Sequence, residues 1–314
     1  MPLIRTSRRP PKPVLPRRLQ RPTLLVIGCG DVGLRLVRQQ TGLANRLRIV
    51  ATARRTDQLA AIRTAGAIPF SCDLDDRHAL ARLAPLSRWM VHLAPPPATG
   101  DDDRRSRLLA AAFARTSIRT ALGRVRWAYV STTGVYGDCA GAQIDETWPP
   151  KPGNVRARRR IAAEKTLRDF GRRTGARLAI LRAPGIYAAD RLPVERLRQG
   201  LPALNPADDV YTNHIHADDL ARAAWLSLWR ARGGRTFNVS DDTDLRMGEY
   251  FDTVADALGL PRPPRMTRAE VAARVSPMML SFMNDSRRLA NVRMKRELRL
   301  RLSVPNVQAL LALL

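Results

Sequence analysis

From residue 23 onward, short apolar runs alternate with amphipathic stretches, and this alternation sets the expected architecture. Residues 23–27 (Thr-Leu-Leu-Val-Ile) form an unbroken apolar, partly β-branched run, the pattern of a strand covered on both faces. Leu34, Leu36 and Val37 then open a helical period. Residues 47–53, 68–72, 89–94, 127–130 and 178–181 read as further strands, and residues 58–65, 78–86, 108–122 and 154–174 as helices between them. Strands alternating with helices of this length predict βαβ units: an α/β fold, a doubly wound parallel sheet with helices on both faces. Its crossovers should be right-handed, and ligands should lie beyond the carboxyl ends of the strands.

After Pro184 the regularity breaks. Pro193, Pro202 and Pro206 punctuate a loop-rich stretch, residues 217–229 read as a helix, and residues 236–239 as a short strand. Asp218 or Asp219 suits the start of that helix as cap and dipole partner. From Arg246 onward, helical pieces are separated by Pro261, Pro263, Pro264 and Pro277. The expected organisation is a basic, proline-rich disordered tail over residues 1–22 and a nucleotide-binding sheet domain over 23–185, completed by about 207–240. Residues 186–206 and 241–314 would then form a smaller, mostly helical substrate lobe.

The candidate chemistry begins where the first strand ends, in Gly28-Cys-Gly-Asp-Val-Gly33. Gly28 permits the tight reversal, Gly30 lets a pyrophosphate approach the backbone, and Gly33 lets helix and strand pack closely. Asp31 and Val32 open the helix whose unpaired N–H groups would hold the phosphates. At the end of the second strand stand Arg54 and Arg55. An acidic residue there would accept from a ribose 2′-hydroxyl and select NAD. A guanidinium instead suits a 2′-phosphate, which predicts NADP over NAD, although in so Arg-rich a chain both side chains could simply be solvated.

Net charge changes the picture less than its size suggests. The chain carries 54 Lys or Arg against 28 Asp or Glu, a formal charge of +26. Lys occurs only at Lys12, Lys151, Lys165 and Lys295, and Arg is spread along the whole chain. That distribution reads as compositional bias, with weak adhesion to polyanions and no specific nucleic-acid partner. No apolar run is long enough to cross a bilayer. Cys29, Cys72 and Cys139 lack metal-ligand spacing and read as reduced thiols of a cytoplasmic protein. His214 and His216 would share a strand face without further ligands nearby, so no metal is expected.

Several motifs together resemble the extended and atypical short-chain dehydrogenase/reductases, the NAD(P)-dependent epimerase/dehydratase family. They are the glycine turn, Cys72-Asp-Leu74, Val130-Ser-Thr-Thr-Gly-Val-Tyr-Gly137 and Leu181-Arg-Ala-Pro-Gly-Ile-Tyr187. Asn213-His-Ile-His-Ala-Asp-Asp219, Phe237-Asn-Val-Ser240 and the segment from Asp285 to Leu298 follow in order. The resemblance runs from Thr23 to about Val304 and implies a Rossmann-like sheet domain. It implies that Asp73 and Leu74 lie against the adenine, that Ala94 and Pro95 back the cofactor, and that Pro184, Gly185 and Ile186 flank the nicotinamide. Asp73 would otherwise serve as a helix N-cap. Ser286, Arg287 and Asn291 resemble the family's substrate-side segment, and otherwise read as an exposed helix.

The family pairs a Ser or Thr after the fifth strand with Tyr-x-x-x-Lys on the next helix. Thr132 matches the hydroxyl. Counting back from Glu164, Arg156 and Arg160 take the Tyr and Lys places. Arg160 keeps the positive charge for the ribose, whereas Arg156 neither gives nor takes a proton near neutrality. Tyr136 is the candidate substitute, if its phenol points into the cleft. Arg160 and Glu164 otherwise read as a surface pair, Asp101, Asp102 and Asp103 as dipole partners at a helix start, and Asp145 and Glu146 as solvated. The resemblance implies a small polar, sugar-like or carbonyl substrate, and a homodimer through two helices beside the sheet. The alternative is an NADP-binding sensor or partner-binding protein with little turnover.

Overall fold

The computed structural model describes residues 21–44, 46–119 and 125–314, with the side chains of residues 116–119, 277 and 278 excepted. Most of the tail expected over residues 1–22, and the end of the helix expected over 108–122, lie outside the described residues. The first half follows the alternation: β1 Thr23–Ile27, α1 Asp31–Gln39, β2 Arg48–Ala53, α2 Thr56–Thr64, β3 Ile68–Ser71 and α3 Arg77–Leu83. Next come β4 Trp89–His92, α4 Arg104–Arg119, β5 Arg126–Thr132, β6 Gln143–Ile144, α5 Val155–Thr174 and β7 Arg177–Ala183. The short elements β8 Gly185–Tyr187, α6 Val194–Arg198, β9 Ala203–Leu204, β10 Tyr211–Thr212 and β11 His214–His216 lead into α7 Ala217–Arg230 and β12 Arg235–Asn238. The rest comprises β13 Leu245–Arg246, α8 Met247–Ala257, β14 Arg265–Met266, α9 Arg268–Ala272, α10 Pro277–Met283, β15 Arg288–Leu289, α11 Val292–Glu297 and α12 Val307–Leu311.

Seven strands form one parallel sheet in the order β12-β7-β5-β4-β1-β2-β3. The chain reverses direction of winding beside β1, between β4 and β2, which opens a crevice at the carboxyl ends of those strands. Each face of the sheet buries its own apolar layer. Leu24, Val26, Leu36, Val91, Ala128 and Leu220 pack beneath α1 and α7. Leu25, Ile27, Met90, Trp127, Leu167 and Phe170 pack beneath α3, α4 and α5. A separate cluster, including Tyr187, Leu197, Phe251, Val254, Val307 and Leu310, forms a third apolar core.

The element ends differ from the sequence pattern for local reasons. β5 continues past Val130 because Ser131 and Thr132 stay in register with Arg182 and Ala183 of β7. α5 starts where the Asn154 side chain accepts from Ala157 N–H, and stops at Gly175, whose φ of 70° lies in the left-handed region. α7 is capped by neither Asp218 nor Asp219. The His216 side chain takes that place, Nδ1 accepting from Asp218 N–H at 3.3 Å. Asp219 is fully buried and accepts from the backbone N–H groups of Ser303 and Val304. It thereby ties the C-terminal segment to the sheet domain.

Candidate functional site

The three glycines of the first turn occupy three different environments. At Gly28, with φ of 77°, a Cβ would meet Ala94 Cα at 2.6 Å, so only glycine fits against the end of β4. A Cβ at Gly33 would sit 3.0 Å from Cys29 Sγ and 3.3 Å from Val26 Cγ1, the close contact of α1 with β1. Gly30 differs: no atom lies within 4 Å of its Cβ position. It is also the N-cap of α1 and supplies no capping side chain. The first N–H groups of α1 therefore open onto space beside a residue that leaves it clear, a cradle suited to an anion. Asp31 next to it is engaged by Arg35 and Arg191, and Val32 packs partly under the sheet.

Around this turn the flanking residues fall as follows. Arg54 is exposed just beyond β2, and among the described residues no acid pairs with it. Arg55 is engaged by Asp57 at 2.5 Å. Asp73 Oδ1 accepts from Asp75 N–H, and the cap of α3 is Asp76 in place of Asp73. Leu74 and Ala94 are buried, and Ala94 N–H donates to Ile27 O at 3.1 Å. Pro95 is exposed beside it. Pro184 is half-buried, and the following Gly185 and Ile186 form β8, paired with His214 and Ile215 of β11.

The face beyond β5 corrects two expectations. Thr132 is half-exposed, and its Oγ1 accepts from Gly134 N–H at 3.2 Å. Since a hydroxyl both donates and accepts, its proton stays free for another partner. Tyr136 does not point into the cleft. It is fully buried, its hydroxyl donates to Asn238 Oδ1 at 2.7 Å, and the Arg182 guanidinium lies 4.7 Å from the ring centroid. Burial pushes this phenol up from its ordinary pKa, against the opposing pull of Arg182. Tyr136 thus belongs to the frame behind the site.

Nor do Arg160 and Glu164 form a surface pair. Arg160 Nη1 donates to Tyr129 Oη and to Val130 O, both at 3.0 Å, and so clamps the end of β5. Glu164 is buried, accepting from Ser131 Oγ at 2.7 Å and from Arg182 Nε and Nη2 at 3.1 and 2.8 Å. Sequence reasoning missed this network. Its available signal was Arg182 itself, a charge at the end of an apolar strand that requires a buried partner. Arg156 is exposed, 5.8 Å from the Phe282 ring centroid.

Other candidates are also engaged by the frame. Asp103, just before α4, is buried and accepts from the backbone N–H and side chain of Ser106 in the helix's first turn. Asp102 pairs with Arg107 and Asp101 with Arg158. Asp145 is exposed, but the Glu146 side chain is not solvated: it accepts from Asn238 N–H at 2.8 Å and lies 3.3 Å from Arg293. Burial raises the pKa of Glu146. Ser286, Arg287 and Asn291 do not lie on an exposed helix. Ser286 O accepts from Cys139 and Gly141 N–H, Arg287 donates to Gly137 O, and Asn291 donates to Ser240 O and Asp241 O. This segment ties the chain around Ser286 and Arg287 to the loop after β5. His214 is buried and stacked on Tyr250, with ring centroids 4.1 Å apart. Among the described residues no group of three or more His, Cys, Asp or Glu could hold a metal ion. The same residues contain no helix long and apolar enough to cross a membrane.

Comparison with known proteins follows the same outline. The model of the NAD dependent epimerase/dehydratase family matches residues 24–240. A functionally unknown conserved protein from Silicibacter pomeroyi is 31% identical, with a TM-score of 0.75 over 93% of this chain and 97% of that one. The UDP-glucose 4-epimerase of Thermotoga maritima, solved with UDP-glucose, is 18% identical at a TM-score of 0.72, covering 93% and 96% of the two chains. A dTDP-glucose 4,6-dehydratase from Streptomyces venezuelae, solved with NAD, is 22% identical at a TM-score of 0.74, covering 92% and 95%. No curated protein sequence matches the chain.

Proposed function

Because the chain belongs to the NAD-dependent epimerase/dehydratase family, we propose that it binds a nicotinamide dinucleotide on the turn from Gly28 to Gly33, prefers NADP, and acts on a small polar carbonyl or sugar-like substrate. The observation that carries this reading is the pairing of an open Gly30 with an unpartnered Arg54 at the end of the adjacent strand. The residues present fit the group. The first N–H groups of α1, from Asp31 and Val32, would hold the pyrophosphate, and Arg54 the 2′-phosphate, with Arg55 at the rim. Asp73 and Leu74 would line the adenine, Ala94 and Pro95 the middle, and Pro184, Ile186 and Arg160 the nicotinamide riboside. The nicotinamide supplies hydride exchange when bound.

Thr132 then orients the substrate, donating the proton that its bond from Gly134 N–H leaves free. Arg160 holds the end of β5 in place and keeps a positive charge beside it. Residues 186–206 and 241–314 form the substrate lobe, and two chains pair through helices beside the sheet. No phenol is offered by Tyr136, which favours a second reading: an NADP-binding sensor or partner-binding protein with little turnover. Mixing the protein with NADPH and a panel of keto-sugars and aldehydes separates the two. Oxidation by at least one compound is expected, and Thr132→Ala should lower kcat by about 10²-fold, the usual loss for one catalytic donor, while NADPH affinity is unchanged. NADPH that binds but is oxidised by no compound selects the sensor. Equal turnover in Thr132→Ala removes Thr132 from the site.

A further inference from the structure

Parallel winding sorts side chains by end as well as by face. All seven strands start at one end of the sheet, and the connecting helices finish there. At that end Arg126 and Arg177 open the neighbouring strands β5 and β7, and Arg88 immediately precedes β4, whose first residue, Trp89, is the register partner of Arg126. Arg126 is the register partner of Arg177, and its N–H donates to Arg88 O at 2.7 Å. With strands about 4.8 Å apart, the three backbone positions span about 10 Å, Arg126 and Arg177 toward one face of the sheet and Arg88 toward the other. Arg63, Arg82 and Arg173 add exposed guanidiniums from the last turns of α2, α3 and α5. Among the described residues no ion pair engages any of these six; at this end Arg235 is paired with Glu297 and Arg172 with Asp169, whereas Asp31, Asp57, Asp218 and Asp219 stand in first turns of helices at the opposite end.

Helix dipoles account for arginines at helix ends. They do not account for the row at the strand starts, where like charges on adjacent strands destabilise the sheet. Aromatic surface adjoins the row. Trp89, Trp225 and Trp229 are partly exposed, with centroids 4.6 and 5.2 Å apart, and Arg126 lies 5.0 Å from the Trp229 ring. The first twenty residues contain six Arg or Lys and no acid. Pro22, whose carbonyl accepts from Arg48 N–H, lies at this same end.

We propose that this end of the sheet, remote from the glycine turn, docks the phosphate backbone of single-stranded nucleic acid. Guanidiniums match phosphate oxygens bidentately, and aromatic faces beside a basic track suit unpaired bases. The inference does not depend on the cofactor reading. The test is fluorescence anisotropy of a labelled twenty-nucleotide uridine RNA with the full chain at 50–200 mM salt. Binding should persist at ~150 mM and weaken with salt. Arg88→Gln with Arg177→Gln should raise Kd about tenfold and flatten the salt slope by about 1.4, from ~0.7 per phosphate for single strands. Arg198→Gln with Arg274→Gln removes the same charge from exposed positions of the lobe and should leave Kd within about twofold. Equal losses in the two double variants would overturn the proposal. So would displacement of the RNA by a glutamate peptide or by phosphatidylserine vesicles at matched charge, or absence of binding at ~150 mM salt.

Discussion

Arg182 and Glu164 meet in the interior with side chains 4% and 5% exposed. Two charges so placed are tolerated because hydrogen bonds from Ser131 and the guanidinium satisfy the carboxylate. Removing one partner leaves the other charged and dry. Glu164→Ala should therefore lower the free energy of unfolding by about 3–5 kcal/mol in urea denaturation, far more than loss of an exposed pair. His214 gives a second prediction. Burial depresses its pKa from 6.5 to about 4. Between those values the unfolded chain takes up a proton that the folded chain refuses, so stability falls as pH falls from 6.5 to 4. The Asp241 carboxyl, pushed up to about 7 by burial, acts with the opposite sign over the whole of that range. The difference between His214→Phe and the parent chain isolates the histidine: in thermal melts it should move in favour of the variant as pH falls through this window. A difference independent of pH would contradict the buried neutral imidazole.

The β1–α1 unit is the element on which binding rests. Gly28 and Gly30 differ in what a methyl group would do. Gly28→Ala forces a side chain onto Ala94 at positive φ and should destabilise the fold itself. Gly30→Ala enters open space at a φ of −89°. It should change the melting temperature of the free protein little, yet weaken NADPH binding at least tenfold, as measured by titration calorimetry. Equal stability and equal affinity in Gly30→Ala would mean that no phosphate passes there. This turn is legible in the sequence because its chemistry is local: an apolar run, three glycines and a helical period suffice. The orientation of Tyr136 is not local. Tyr136 lies only four residues past Thr132, the end of β5, and contacts with Asn238, over a hundred residues away, and Arg182 turn the phenol inward.

At the scale of the whole molecule, alternation of strand and helix is strong enough to indicate the seven-stranded parallel sheet and its order of elements. It misplaces ends where polar residues extend a strand, as at Ser131 and Arg182, because their partners come from α5. The strap formed by Ser286, Arg287 and Asn291 is invisible to periodicity, since backbone carbonyls of distant loops are its partners. Arg160 and Glu164 read as a surface pair for the same reason: spacing says which residues share a helix and not what lies against it. The glycine turn and Arg54 are proposed to hold NADP together. Calorimetric titration of NADPH and NADH into the parent chain and into Arg54→Asp tests it most directly. The parent should bind NADPH at least tenfold more tightly than NADH, in line with ~1.5–3 kcal/mol for a charge-assisted contact, and Arg54→Asp should abolish or reverse that ratio. No heat with either nucleotide, or a ratio untouched by the substitution, would contradict it.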